Sequence, residues 1–280
     1  MAEPPRIGAV LTTLGVDARW WIDAARRLEA AGYASIWCWD HFVSRGEKTT
    51  PVLESWTVLS ATAAVTERVT IGPFVANVMN RHPAVLARMA STLQDVSAGR
   101  LRLGLGIGGH PAEHRAYGIP FPEAAVRADR LRETIEALRA LWSGGPVSYH
   151  GEHVELTDAY AYPAPRPVPP ILVGAGTPAG IRIAATLGDG WAAEADEFFE
   201  LEPRYREALA GAGRRREDQR VVLSFGGWRR KTSEWLRDHP LITAPRDELA
   251  RLNDAGADEA ILTVRTSEDV DTLVAAADRW

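Results

Sequence analysis

Ser35-Ile36-Trp37-Cys38-Trp39-Asp40-His41-Phe42 is a short apolar run that ends abruptly in an acid and an imidazole. Gly32 precedes it and a polar, Gly-containing loop (Ser44 to Thr50) follows, so Ser35 to Trp39 fits a short buried strand better than a helix. In a parallel α/β fold, groups at the carboxyl ends of strands face the ligand site. Asp40 and His41 therefore stand where proton transfer is wanted, and an imidazole titrates near neutrality with little tuning. The pair alone is equally well read as a histidine hydrogen-bonded in a loop. The rest of the chain has to decide.

Outward from this stretch, the pattern repeats. Arg6 to Leu11 is an apolar run, and Asp17 is a reasonable N-cap for a helix to about Ala31, stopped by Gly32. Strand, helix, strand is a βαβ unit. After a helix over Glu54 to Val65, Val69 to Val78 reads as a third strand, which Pro73 should bulge near Gly72-Pro73-Phe74 because proline removes a ladder donor. Pro83 starts a helix through Val96. Leu101 to Gly106 is the fourth strand, and the glycines from Gly104 to Gly109 allow close backbone approach without matching a dinucleotide fingerprint. A long amphipathic helix over Glu123 to Trp142 is followed by a small hairpin, Val147 to Leu156, and a Pro-rich linker, Pro163 to Pro170.

Ile171 to Val173 resumes the series as a fifth strand and enters Gly174-Ala175-Gly176-Thr177-Pro178, where strand-end glycines before a helix N-terminus suggest an anion cradle. Gly190 to Ala193 is a sixth strand with its helix over Pro203 to Ala212, and Val221 to Phe225 a seventh. Thr232 to Arg237 adds a helical turn and Pro245 to Ala255 a helix. Ala260 to Val264 and the helix Asp269 to Arg279 close the series. Eight strand–helix pairs in alternation predict an α/β fold, a (β/α)8 TIM barrel with a small hairpin insertion after the fourth helix, in one domain over residues 1–280.

Composition is consistent with this. With 280 residues, 46% hydrophobic and 25% charged, the chain can bury one large core. A net charge of -5 offers no basic surface, so no nucleic-acid partner is expected. Cys38 is the single cysteine, which precludes an internal disulfide and points to the cytoplasm; inside a strand it is better read as packing than as a nucleophile. The segment Met1 to Arg6 lacks a secretory core, and no apolar run approaches the ~18 residues of a membrane span. No His-x-His or carboxylate–histidine cluster is visible at the strand ends, which disfavours a metal-dependent barrel hydrolase and leaves no metal ligands to name.

The chain resembles the bacterial luciferase-like flavin-dependent oxidoreductases, and more closely their coenzyme F420-dependent (deazaflavin) branch. The resemblance rests on Ala31 to Trp37 with Trp39-Asp40-His41-Phe42, on Arg81-His82-Pro83-Ala84 with Leu93, and on Ser97 to Gly106. Pro170 to Gly176 and Gly188-Asp189-Gly190-Trp191 complete it. It implies that Asp40 and His41 lie beside the deazaflavin ring, with His41 as proton donor or acceptor and Asp40 in both a catalytic and a cofactor-binding role. It further implies a bulge carrying a non-proline cis peptide at about Phe74-Val75 against the ring, Asn77 in the pocket, Gly106, Ile107 and Gly108 along the cofactor tail, and Gly174, Gly176 and Thr177 on its phosphate. Homodimers are frequent in the family, so a homodimer is expected.

The chain departs from the sugar-phosphate dehydrogenases of the branch, having Ser44 in place of their catalytic tryptophan and Gly109 in place of their acid. Sugar-phosphate oxidation is therefore disfavoured. His110, Glu113 and His114 stand close by and read equally as substrate contacts or solvated loop residues; Trp228-Arg229-Arg230-Lys231 reads equally as an anion clamp or a solvated loop. The leading expectation is hydride transfer between F420 and a small organic substrate. One rival is an FMN-dependent monooxygenase using dioxygen and a partner reductase; another is a non-catalytic flavin-binding protein, which would not need Asp40 and His41.

Overall fold

The computed structural model describes residues 6–226 and 233–280, so Trp228-Arg229-Arg230-Lys231 lies outside the described residues. β1 (Arg6–Leu11) leads to α1 (Ala18–Ala30) and β2 (Ser35–Cys38) to α2 (Ser55–Val65). The third strand comes in two pieces, β3 (Thr70–Pro73) and β4 (Ala76–Asn77), before α3 (Pro83–Val96). β5 (Leu103–Gly106) precedes a short α4 (Pro111–Tyr117) and a long α5 (Ala124–Trp142). The antiparallel pair β6 (Val147–His150) and β7 (Glu155–Ala159) follows. β8 (Ile171–Gly174) and α6 (Pro178–Leu187) precede β9 (Gly190–Glu194) and α7 (Ala195–Gly211). After β10 (Arg220–Phe225) come α8 (Ser233–Arg237), α9 (Pro240–Thr243) and α10 (Pro245–Asp254), and β11 (Glu259–Val264) and α11 (Ser267–Ala276) complete the barrel.

The main sheet runs β3-β2-β1-β11-β10-β9-β8-β5-β4, with every adjacent pair parallel. Its two edges are the halves of one broken strand, and an Ile71–Leu101 bridge joins β3 to the chain entering β5, so the sheet closes. Eight staves result, as the strand–helix alternation implied. No helix among the described residues is long and apolar enough to cross a membrane.

Period-two alternation assigns each strand residue to a layer. Ile7, Ala9 and Leu11 pack outward against the helices, while Val10 joins Trp37, Phe74, Leu172, Ala192, Val222 and Ile261 in the barrel interior. Two residues toward the N-terminal ends, the inward positions are polar: Ser35 and Glu259, the latter fully buried and paired with Arg102 at 2.6 Å. Two residues toward the C-terminal ends, the same faces present Thr12, Trp39, Gly174 and Glu194 to a cavity. The barrel thus has a salt-bridged floor, an apolar middle and an open top.

One helix begins well before the predicted start. Pro203 marks no beginning, because α7 starts at Ala195 and carries the proline in its interior. Phe198, Leu201, Tyr205 and Leu209 are buried at helical spacing across it, and burying four large side chains outweighs the ~3 kcal/mol that an interior proline costs. The hairpin is anchored by Glu133 of α5, whose carboxylate accepts from the amides of Glu152, His153 and Val154 at 2.8–2.9 Å.

His239 caps α9, its Nδ1 accepting from the Leu241 amide at 3.2 Å. Burial pushes its pKa down to about 4, opposed only in part by Glu248. A folded-state pKa below the unfolded value means that this site's stabilisation is complete above about pH 6.5 and is lost as pH falls toward 4. His239→Asn keeps a capping acceptor without the titration. Thermal melts of the variant should therefore show a smaller fall in Tm between pH 6.5 and 4 than the wild type; equal slopes would assign the acid loss to other groups.

Candidate active site

A cavity of about 670 Å³ opens at the C-terminal ends of the strands. Its lining includes Trp39, Asp40 and His41 from the end of β2, Phe74, Val75 and Asn77 from the broken third strand, Gly106 at the end of β5 with the segment to His110 that follows it, and Gly174 from β8. The Phe74–Val75 peptide is cis, at the bulge between β3 and β4. Glycines make room for it: a Cβ at Gly106 would stand 2.5 Å from Val75 Cγ2, and one at Gly174 2.8 Å from the same atom. Gly108 has φ +75°, and a side chain there would collide with Asn77. A smooth wall of backbone and Val75 results.

Asp40 faces this cavity, but its carboxylate is occupied. Oδ1 accepts from Ser55 Oγ at 2.8 Å and Arg81 Nη2 at 3.0 Å; Oδ2 accepts from Arg81 Nη1 at 2.6 Å and the Asn77 amide at 3.0 Å. With its side chain 1% exposed and bidentate to arginine, Asp40 fastens the end of β2 to β4 and α2 and has little capacity left for a ligand.

His41 is differently placed. Its Nδ1 lies 3.2 Å from Glu113 Oε2, which also accepts from the Phe42 amide at 3.0 Å and the Val43 amide at 3.3 Å. Burial works against a charge on Glu113, yet the bond and charge of His41 and the two amides outweigh it and hold the carboxyl at about 2. An ionised Glu113 requires Nδ1 to be the donor, so Nε2 is the nitrogen left to exchange a proton at the cavity.

Glu113 and His114 are not solvated loop residues. Both are 1% exposed, delivered by α4, which the sequence reading left out. His114 Nε2 lies 2.8 Å from Asn77 Nδ2, and its ring packs 4.4 Å from that of Phe121; burial lowers its pKa despite Glu113 nearby. His110 Nδ1 stands 3.6 Å from Glu113 Oε2. The expected absence of a carboxylate–histidine cluster is thus corrected: His41, His110 and Glu113 place one donor atom each within 4.8 Å of one another, brought together by residue 41 after β2 and residues 110–113 after β5, from either side of the broken third strand.

The expected phosphate cradle divides. Gly174 lines the cavity, whereas Gly176 and Thr177 are exposed outside its lining. The Thr177 hydroxyl caps α6, accepting from the Gly180 amide at 3.3 Å, and a Cβ at Gly176 would strike the carboxylate of Glu197. An anion there would face that charge. Cys38 is buried, and burial pushes its thiol well above the ordinary value, which leaves it inert.

A closed parallel barrel with a histidine-bearing cavity at its C-terminal face defines a TIM-barrel enzyme. The chain belongs to the luciferase-like monooxygenase family, whose model matches residues 3–266. It is 34% identical over 198 residues to an F420-dependent glucose-6-phosphate dehydrogenase of Kineococcus radiotolerans, covering 69% of this chain and 58% of that protein. An enzyme of the same name from Microbacterium testaceum is 31% identical over 229 residues, covering 80% and 68%. Among solved structures, an F420-dependent secondary alcohol dehydrogenase in complex with an F420–acetone adduct superposes with a TM-score of 0.84 at 20% identity, covering 99% and 98% of the chains. The coenzyme F420-dependent tetrahydromethanopterin reductase of Methanopyrus kandleri gives 0.78 at 18%, again covering 99% and 98%. At those identities the likeness is one of fold.

Proposed function

We propose that this protein is a coenzyme F420-dependent oxidoreductase acting on a small organic substrate. The observation that carries the reading is the pairing of His41 with an ionised, buried Glu113 at a cavity that is also lined by the Phe74–Val75 bulge of the adjacent strand. Relatives named for F420 support the cofactor. A cavity of about 670 Å³ is within the range of ligand sites, and the wall left flat by Gly106 and Gly174 suits a planar ring. Val75, Asn77, Gly106, Ile107, Gly108 and Gly174 would hold its ring end, with Phe74 and Trp39 keeping water from it. Gly176 and Thr177 fit a phosphate poorly beside Glu197.

When bound, the deazaflavin supplies or accepts a hydride. The matching proton moves at His41 Nε2 while Glu113 holds the ring through Nδ1. Asp40 serves as a positioning residue, fixing the strand end that bears His41. Ser44 and Gly109 in the cavity lining, in place of the tryptophan and acid of the sugar-phosphate enzymes, favour a less polar substrate.

Fluorescence titration tests the cofactor. The protein should bind F420 at least tenfold more tightly than FMN, a difference of about 1.4 kcal/mol; the reverse order would replace this reading with a flavin monooxygenase.

A further inference from the structure

We infer that His41, His110 and Glu113 form a binding site for a first-row transition cation of the Zn²⁺ type in the wall of the same cavity. Each residue contributes one donor atom, and the three atoms lie within 4.8 Å of one another. Two separations from Glu113 Oε2, 3.2 Å to His41 Nδ1 and 3.6 Å to His110 Nδ1, are close to the roughly 3.0–3.5 Å between ligands that metal–donor bonds of about 2.1 Å produce. The third separation, between the two imidazoles, is no more than 4.8 Å, and a small movement of the His110 ring would bring the three donors around an ion.

The second observation is the state of His110. Its Nδ1 is buried without a hydrogen-bond partner. Buried polar nitrogens are normally satisfied, and this one is too far from Glu113 Oε2 for a hydrogen bond but well placed for a shared cation. The T-shaped contact of the two imidazoles, with ring centroids 6.0 Å apart, keeps them from stacking in a way that would block an ion.

The donor set decides the class of metal. Two imidazoles and one carboxylate suit zinc, iron and cobalt, whereas magnesium and calcium prefer all-oxygen sites. Three protein ligands leave further positions open to water or a ligand in the cavity. Because His41 Nδ1 cannot bind a metal and donate to Glu113 at once, the ion would take the place of that hydrogen bond and compete with the proton-transfer arrangement.

Equilibrium dialysis of the full-length protein against Zn²⁺, without deazaflavin or substrate, tests the site directly. One ion per chain is expected. His110→Ala and, as a milder change, His110→Gln should weaken it at least about tenfold, the lower end of what outer-shell changes alone do to metal affinity. Co²⁺ should give a visible d–d band with the wild type that is lost in both variants. Zn²⁺ should raise the Tm of the wild type but not of the variants, which circular dichroism would show to be folded. Undiminished stoichiometry and affinity in both variants would move the ion elsewhere, for instance to the exposed His150 and the half-buried His153, and no binding to the wild type would remove the site. The measurement needs no cofactor, so either result leaves the F420 reading to its own titration.

Discussion

His41→Ala lowers turnover by roughly 10²- to 10⁴-fold while cofactor affinity changes only a few-fold. That is the usual range for removal of a general acid–base group. The separation of effects follows from geometry: His41 belongs to the chemistry through Nε2, whereas the wall of the cavity is built by Val75, Gly106 and Gly174. Glu113→Gln should be milder. The amide can still accept from Phe42 and Val43, but it loses the charge-assisted bond to Nδ1, which is worth about 1.5–3 kcal/mol or roughly 10- to 150-fold. Because Glu113 is held at about 2, below its unfolded value, its stabilisation is present above about pH 4.5 and lost only as pH falls toward 2. An acid limb of activity near neutrality that survives Glu113→Gln therefore belongs to another group. Steady-state kinetics with a substrate found by screening alcohols against oxidised cofactor, and activated alkenes, imines and quinones against reduced cofactor, would measure these effects. Near-full turnover in His41→Ala would make it a structural histidine and leave the proton to water or His110.

The histidine was legible because its signal is local: an apolar strand ending in a polar pair says where the chain points. Its partner was not. Glu113 reaches His41 across 72 residues, and only the placement of α4 makes the contact. A trace of α4 was present in the sequence, with Pro111 at its first turn and Gly118 in the left-handed conformation past its end, but seven residues carry too little periodicity to outweigh a loop. The phosphate cradle read at Gly174, Gly176 and Thr177 meets an acid for a related reason. Glycines before a helix N-terminus attract anions when nothing else is near, and Glu197 arrives there on the first turn of α7. Taking Pro203 as the start of that helix left Glu197 in an unassigned segment, so a misplaced boundary hid an unfavourable charge. Asp40 shows the opposite limit. Sequence gave its position at the cavity, but only the partners Arg81, Ser55 and Asn77 show that its lone pairs are already used.

The barrel floor should give the largest effect on stability. Glu259 is fully buried; one oxygen pairs with Arg102 Nη1 at 2.6 Å, and the other accepts from Trp37 Nε1 at 3.1 Å and from Ser35 Oγ. Arg102→Met removes the only cation bonded to that carboxylate among the described residues and leaves two neutral donors. An uncompensated buried charge typically costs about 3–5 kcal/mol, which for a chain of this size corresponds to a fall in Tm of roughly 6–20 °C. The double variant Arg102→Met/Glu259→Gln should recover much of the loss, because glutamine still accepts from Ser35 and Trp37 without a charge to solvate. Recovery in the double variant separates the cost of the stranded carboxylate from that of packing methionine against the barrel end, and calorimetry on the single and double variants measures both. If Arg102→Met alone costs less than about 1 kcal/mol, water reaches the floor and the pair behaves as a surface salt bridge. The apolar layer of Val10, Trp37 and Ile261 would then rest on a solvated base, and the rigidity of the strand ends that carry His41 and Asp40 would have to come from the Asp40–Arg81 link above it.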